Sequence, residues 1–299
     1  MDKKLIIIIV SAVLAVAAIL AIFQVIMKTD RPESGVIMKK DALPAASLDK
    51  AVKDLEEIVV RNPGSGRAES ALYKLAAAYE NRGDLLKAKA AYRNIIESFP
   101  SSNSISKAME SLDNLNIKIL FSADVKEGAV IYEIQKGDTL AKIAKKFNTT
   151  VDFIVKANDL KSSNIRTGGK LKVVKTKFSI VVDKSQNILT LKADGDVVKT
   201  YRVSTGLNDT TPVGTFVITT KIKDPTWYTT GAVVPAASPK NILGSRWMGI
   251  SKKGFGIHGT TEPQNIGKSV TAGCVRMINS DVEELYTIVP EGTEVEILD

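Results

Sequence analysis

His258 and Cys274 are the single histidine and the single cysteine of the chain. They stand 16 positions apart (274 − 258) within the segment FGIHGTTEPQNIGKSVTAGCVRM. A cysteine attacks a carbonyl carbon as its thiolate, and a nearby imidazole can take the thiol proton and later return it to a leaving amine. Gly273, directly before the thiol, lets the backbone turn tightly and can present N–H groups to the oxyanion of a tetrahedral intermediate. No Asp or Glu stands immediately beside His258, so a backbone carbonyl would have to fix the imidazole tautomer. Residue types alone leave a second reading open, in which Cys274 is a small buried hydrophobe and His258 a surface residue that meets nothing. One His and one Cys fall short of a zinc site, so no metal is expected.

The elements that must position this pair lie between Lys177 and Asp299. FSIVVD, ILTLKAD, VVKTYRVS, TFVITTKI and TEVEIL are rich in β-branched residues and separated by turn signals, which predicts a mainly β domain. SDVEELYTIV reads as a short helix after the Cys274 loop. Trp227 and Trp247 read as core rather than substrate platforms, and TPVGTF and NILGSRW read chiefly as turns that could line a cleft.

Upstream the pattern changes twice. Leu5 to Met27 runs twenty-three residues with only Ser11 and Gln24 polar, and a helix of that length spans about 34 Å, enough to cross a bilayer. The run continues without a small-residue cleavage site, so an uncleaved signal anchor over 1–30 is expected, followed by a Pro-, Gly- and charge-rich tether over 31–46. From 47 to 122 the pattern is helical. Ala51, Leu55, Ile58 and Pro63 correspond to Ala88, Tyr92, Ile95 and Pro100 at an offset of 37 residues (88 − 51), the mark of stacked helix pairs. Ala108, Leu112, Leu115 and Ile119 give a last amphipathic helix that can cap the stack. Such a region could bind a protein partner or serve as a spacer.

Between 129 and 175 the order strand, helix, helix, strand is expected. Leu140, Ile143, Ala144 and Phe147 fall at helical spacing behind Asp138 or Thr139 as cap, and Val151, Ile154 and Val155 point inward from a second helix. The net charge of +8 is spread along the chain with no basic cluster interleaved with aromatics, which argues against a nucleic-acid surface.

Several of these stretches resemble known families. ALYKLAAAYENRGDLLKAKAAYRNIIESFP resembles a tetratricopeptide repeat. YEIQKGDTLAKIAKKF, Asn158 and IRTGGKLKV together resemble a LysM domain. That resemblance implies binding to N-acetylglucosamine-containing glycan such as peptidoglycan, through loops that carry Gly137, Asp138, Thr139, Asn164, Ile165 and Arg166. Capping and turn formation would equally explain Gly137, Asp138 and Thr139.

The segment 177–299 resembles the L,D-transpeptidase (YkuD-like) catalytic domain, in IVVDKSQNILTLKADGDVVKTYRVSTG, TPVGTFVI, NILGSRWMGI, FGIHGTTEPQNIG, TAGCVRM and VPEGTEVEIL. Its signature, His-Gly, a spacer, then Ser/Thr-X-Gly-Cys-X-Arg, falls on His258, Gly259, Thr271, Gly273, Cys274 and Arg276. The resemblance implies that Cys274 is the acyl-forming nucleophile, His258 its acid–base partner and the Gly259 carbonyl the group that orients the imidazole, with the N–H groups of Gly273 and Cys274 as oxyanion hole. Thr271, Asn241, Arg246 and Arg276 are the candidate substrate contacts, although Arg276 could instead brace its loop by a salt bridge. Many members carry a second histidine just before the Gly-Cys pair; Ala272 stands there in this chain, which leaves the base role to His258.

The expected whole is a multidomain chain: an N-terminal transmembrane helix, an all-α helical repeat, a small α+β LysM module and a mainly-β L,D-transpeptidase catalytic domain. All domains after Met27 would lie outside the cytoplasm, at the cell wall or periplasm. The function implied is cross-linking of peptidoglycan stem peptides without a cofactor, with carbapenems as covalent inhibitors. The alternatives are an L,D-carboxypeptidase that hydrolyses the same acyl-enzyme, and a non-catalytic wall-binding scaffold.

Overall fold

The computed structural model describes residues 45–123, 128–229 and 231–299. The expected transmembrane segment lies outside these residues, as does the expected tether up to residue 44; its last two positions, 45 and 46, are already helical. No helix among the described residues is long and apolar enough to cross a membrane.

Four helices open the described chain: α1 (Ala45–Arg61), α2 (Gly66–Arg82), α3 (Leu85–Ser98) and α4 (Ile105–Phe121). Ser65 caps α2 by accepting from the Ala68 N–H, and Gly83 ends it at φ +80, a left-handed value that favours glycine. Leu72, Leu75, Tyr79, Ala88, Tyr92, Ile95, Ala108, Leu115 and Ile119 share one buried cluster. The offset of 37 residues is only half realised in burial: Ile95 is fully buried, whereas its counterpart Ile58 is 39% exposed. The two halves differ because α3 packs between α2 and α4, while α1 is the first helix of the stack.

A small module follows, with an antiparallel pair formed by β1 (Ala129–Glu133) and β2 (Lys170–Val174) and two short helices, α5 (Leu140–Lys146) and α6 (Val151–Ala157). Thr139 and Thr150 cap the helices by accepting from the Lys142 and Phe153 N–H groups. Asn158 ties α6 to β2, donating to the Ile154 and Lys172 carbonyls and accepting from the Lys172 N–H at 2.7 Å.

The remaining strands are β3 (Phe178–Asp183), β4 (Ile188–Ala193), β5 (Asp196–Arg202), β6 (Thr205–Gly206), β7 (Gly214–Lys223), β8 (Trp227–Thr229), β9 (Ala232–Val234), β10 (Arg246–Ile250), β11 (Gly256–His258), β12 (Ser269–Thr271), β13 (Val275–Arg276) and β14 (Glu294–Leu298), with α7 (Asn279–Ile288) before the last. Eight of them form one sheet in the order β13-β11-β10-β7-β14-β3-β4-β5. Its pairs are antiparallel except β14 with β3 and β11 with β13. Period-two alternation buries Phe178, Ile180 and Val182 of β3, Leu189 and Leu191 of β4, and Val295 and Ile297 of β14. Val282, Leu285 and Ile288 of α7 join the same cluster.

The last repeat helix does more than cap its stack. One face of α4 enters the helical cluster, while Ile117 lies in the core of the β domain together with Phe153 and Ala157 of the small module. Phe121, Phe153 and Phe178 follow one another edge to face or tilted, at ring separations of 5.4 and 6.0 Å. Asn116 donates to the Val198 carbonyl, and Asp113 accepts from the Thr200 N–H. The Lys223–Asp152 ion pair at 2.9 Å and the bond from Thr150 to the Thr287 carbonyl link the small module to the β domain. Lys172 is buried, and its ammonium donates to the carbonyls of Ile119, Leu120 and Ser122 at the end of α4. It thereby satisfies acceptors that a helix C-terminus leaves without partners and sits at the negative end of the helix dipole.

Replacing Lys172 by Met keeps most of the packing volume but removes the ammonium from three carbonyls at a largely buried helix end, of which the Ile119 carbonyl keeps the Ser122 N–H. Urea unfolding of Lys172→Met should show a loss of about 2–4 kcal/mol. A loss below about 0.5 kcal/mol would show that water replaces the ammonium without cost.

Candidate active site

The sequence expectation that His258 and Cys274 share one site is a matter of two strands. His258 ends β11, which pairs antiparallel with β10 through Trp247 and parallel with β13 through Arg276. Cys274 immediately precedes β13, so the parallel pairing of Ile257 with Val275 draws the thiol loop alongside the imidazole. Both side chains line one cavity of about 530 Å³, together with Trp227, Trp247, Phe255 and Arg276. The walls are mostly apolar and aromatic, with the sulfur, the imidazole and one guanidinium as their reactive or charged groups.

Burial governs the imidazole. His258 is 3% exposed, its ring stacked on Trp247 at 5.8 Å and 22°. Nδ1 lies 2.7 Å from the Gly259 carbonyl, an acceptor, so Nδ1 carries the proton and Nε2 is left as the base. Desolvation pushes the imidazole down to about 4, and the Arg276 charge pushes the same way, against the Gly259 and Leu243 carbonyls. The thiol moves in the opposite direction. Cys274 is half-buried, and desolvation raises it above the ordinary thiol range, while the Gly256 N–H and the Arg276 charge pull it back. Its Sγ donates to the Gly254 carbonyl at 3.7 Å. The resting site therefore holds a neutral thiol and a neutral imidazole.

The loop that carries the thiol is braced on several sides. Gly273 adopts φ +126, and a Cβ there would lie 2.6 Å from Phe255 and 2.9 Å from the Thr210 carbonyl. Thr271 donates to the Cys274 carbonyl at 2.7 Å and accepts from the Gly273 N–H at 3.1 Å. Two expectations change here. Thr271 spends its donor on the loop rather than on a ligand, although it lines the cavity, and the Gly273 N–H is already occupied. Among the described residues the Cys274 N–H has no such acceptor. Ala272 is exposed on the cavity wall.

Arg276 braces its loop by a salt bridge, one of the two roles expected of it. It is buried, pairs with Glu262 at 3.2 Å, lines the cavity, and keeps a buried Nε without a protein partner. Asn241 and Arg246 are corrected from substrate contacts to scaffold. Asn241 is buried and donates to the Pro225 carbonyl at 2.8 Å while accepting from the Leu243 N–H, so its amide organises the loop before β10. Arg246 bonds the Ser245 carbonyl and lies near Asp224, Glu283 and the Tyr286 ring, away from the cavity lining. The reverse correction applies to Trp227 and Trp247: both are only half-buried and both form cavity wall.

Asn279 escaped the sequence reading. Its Oδ1 accepts from the Ser245 and Thr260 N–H groups at 3.2 and 3.0 Å, and a Cβ on Gly244 or Gly259 would overlap it. It thus holds the peptide that presents the Gly259 carbonyl to His258. The signal was available only as an Asn at the start of a helix, which normally means a cap.

In the small module, Gly137 turns at φ +83 and Asp138 accepts from the Tyr132 hydroxyl and the Gln135 N–H. Asp138 and Thr139 therefore have turn and cap duties, as the alternative reading held. Asn164 and Arg166 are exposed, Ile165 packs partly into the module core, and the Gly168 and Gly169 backbone bonds to Ile134 bring this loop beside the first one.

Comparison with known proteins agrees with this division of the chain. Residues 177–297 match the L,D-transpeptidase catalytic domain, 132–174 the LysM domain and 70–102 a tetratricopeptide repeat. The protein named "Putative L,D-transpeptidase YkuD" in Bacillus subtilis is 34% identical over 173 residues, covering 56% of this chain and 97% of that one. "Putative L,D-transpeptidase YqjB" of the same organism is 40% identical over 126 residues, covering 40% and 70%. Among solved structures, an L,D-transpeptidase from Mycobacterium tuberculosis H37Rv matches at 19% identity and a TM-score of 0.37, covering 44% of this chain and 63% of that one. The E. faecium L,D-transpeptidase catalytic domain matches at 27% identity and a TM-score of 0.35, covering 41% and 97%. The chain belongs to the L,D-transpeptidase family, a family of acyltransferases.

The neutral resting pair has a measurable consequence. Only thiolate reacts with iodoacetamide. The alkylation rate of Cys274 should therefore keep rising past pH 8 into the range above an ordinary thiol, with no step near pH 6.5, because the imidazole stays uncharged down to about pH 4. A plateau reached below pH 7 would reveal a preformed thiolate–imidazolium pair.

Proposed function

We propose that the chain is a membrane-anchored peptidoglycan L,D-transpeptidase that works through a thioester on Cys274, with its domains after the anchor at the cell wall. One observation carries the reading: the cavity holds the half-buried thiol of Cys274 together with an imidazole whose Nδ1 is fixed by the Gly259 carbonyl, leaving Nε2 free to take a proton.

In the proposed reaction Cys274 Sγ attacks the carbonyl of the third residue of a tetrapeptide stem. The S–C bond forms as the thiol proton passes to His258. The C–N bond to the terminal D-alanine then breaks, and His258 returns the proton to the leaving amine. The side-chain amine of a second stem's third residue attacks the thioester, forming a new C–N bond, and its proton returns through His258 to the departing sulfur. Arg276 supplies a guanidinium on the cavity wall for a substrate carboxylate, and the aromatic walls exclude water from the acyl-enzyme.

Incubation of the full chain with a tetrapeptide muropeptide should give an adduct on intact mass spectrometry that Cys274→Ala abolishes. With two muropeptides present, a cross-linked dimer is expected; tripeptide as the sole product would instead identify a hydrolase. An unmodified wild-type protein would sink the acyl-enzyme altogether.

The LysM module is proposed to hold glycan strands beside the cavity, raising the effective concentration of stem peptides. Its helix α6 contributes Phe153 and Ala157 to the core of the β domain, so its contribution is better tested by exposed loop residues than by deletion. The double variant Asn164→Ala/Arg166→Ala should lower retention on isolated sacculi severalfold while leaving turnover of soluble muropeptides within about twofold. Equal effects on both would count against a glycan grip.

A further inference from the structure

Thr211 stands outside the cavity lining, 2% exposed, yet its hydroxyl reaches the thiol loop. The Oγ1 accepts from the Gly206 N–H at 2.7 Å and donates to the Gly273 carbonyl at 2.9 Å. It therefore bridges two segments that pass close together: a Cβ on Gly206 would lie 3.0 Å from the Gly273 Cα. The Gly273 carbonyl belongs to the same peptide unit as the Cys274 N–H. The described chain contains no cis peptide bond, so these two groups point in opposite directions from one rigid plane. Anchoring the carbonyl on Thr211 fixes where the N–H points, which is away from Thr211.

The neighbouring bonds complete the argument. Thr271 occupies the Gly273 N–H and the Cys274 carbonyl. With Thr211 on the Gly273 carbonyl, both main-chain groups of Gly273 and the Cys274 carbonyl are bonded, and the Cys274 N–H is left open. That donor adjoins the nucleophile, where the oxyanion of a tetrahedral intermediate forms, and a donor already aimed at developing charge needs no reorganisation during the reaction.

We propose that Thr211 is a positioning residue for acyl transfer, holding the Gly273–Cys274 peptide so that the Cys274 N–H serves as the oxyanion donor. The proposal rests on Cys274 as nucleophile, but not on the nature of the acyl donor.

The test uses two probes of the same sulfur. p-Nitrophenyl acetate acylates Cys274 through a tetrahedral oxyanion: the S–C bond forms, the C–O bond to nitrophenolate breaks, and the thiol proton leaves through His258. Iodoacetamide alkylates the same sulfur by displacement of iodide, with no oxyanion. Thr211→Val keeps the shape and removes the hydroxyl; Thr211→Ser keeps the hydroxyl. The nitrophenolate burst of Thr211→Val should slow by about 10- to 100-fold, with little change in half-saturation, while its alkylation rate stays within about twofold of the wild type. Thr211→Ser should recover the burst to within about threefold. Equal slowing of both reactions in Thr211→Val, or of neither, would overturn the proposal, as would a wild type that alkylates but gives no burst. A wild type that shows the burst yet forms no adduct with muropeptide would instead refute the peptidoglycan reading and leave the role of Thr211 standing.

Discussion

An imidazole buried against a tryptophan face can act as a base only if one nitrogen is tied and the other is left open. The bond between His258 Nδ1 and the Gly259 carbonyl meets that condition. Much of the surrounding architecture serves it. The strands β10 and β13 flank the histidine, Asn279 pins the peptide beyond it, and the lack of side chains at Gly244 and Gly259 makes room for the Asn279 carboxamide. The same burial lowers the affinity of the imidazole for a proton and raises that of the thiol, so the ground state is uncharged. In the proposed reaction charge then develops only as the sulfur attacks, where preorganised donors have most effect.

The second constraint is that the three kinds of domain share interior. Phe121 of the helical repeat, Phe153 of the LysM module and Phe178 of the β domain meet ring to ring. A lysine from the LysM module satisfies the carbonyl end of the last repeat helix. Such contacts replace flexible linkers with packing, and packed interiors shift between discrete arrangements rather than bending freely. In the proposed function this rigidity gives the glycan-binding loops a set direction relative to the cavity. The exposed face of α1, with Ile58 and Val60 open to solvent, stands at the other end of the stack.

Scaffold and site residues exchanged roles in an instructive way. Asn241, Arg246 and Thr271 carry polar groups of the kind that bind ligands, yet each spends hydrogen bonds on nearby backbone. Trp227 and Trp247 look like core and are wall. Polar side chains near an irregular loop are recruited to its unpaired backbone groups, because a buried N–H or C=O without a partner costs more than a ligand contact returns. A large aromatic ring half-covered by protein can remain half-exposed to a cavity at little cost.

The sequence by itself determined the order and type of the modules, since hydrophobic period, turn residues and caps are local properties: the alternation in FSIVVD, the glycine at 83 and the threonines at 139 and 150 all act within a few residues. It also singled out His258 and Cys274, because each is the only residue of its kind. Only the tertiary structure places Lys172 at the end of a helix in another domain, sets Asn279 and Thr211 on the peptides beside the imidazole and the thiol, and leaves the resting pair neutral. Those outcomes rest on pairings between residues far apart in the chain and on the amount of water excluded around each group, neither of which is encoded in local spacing.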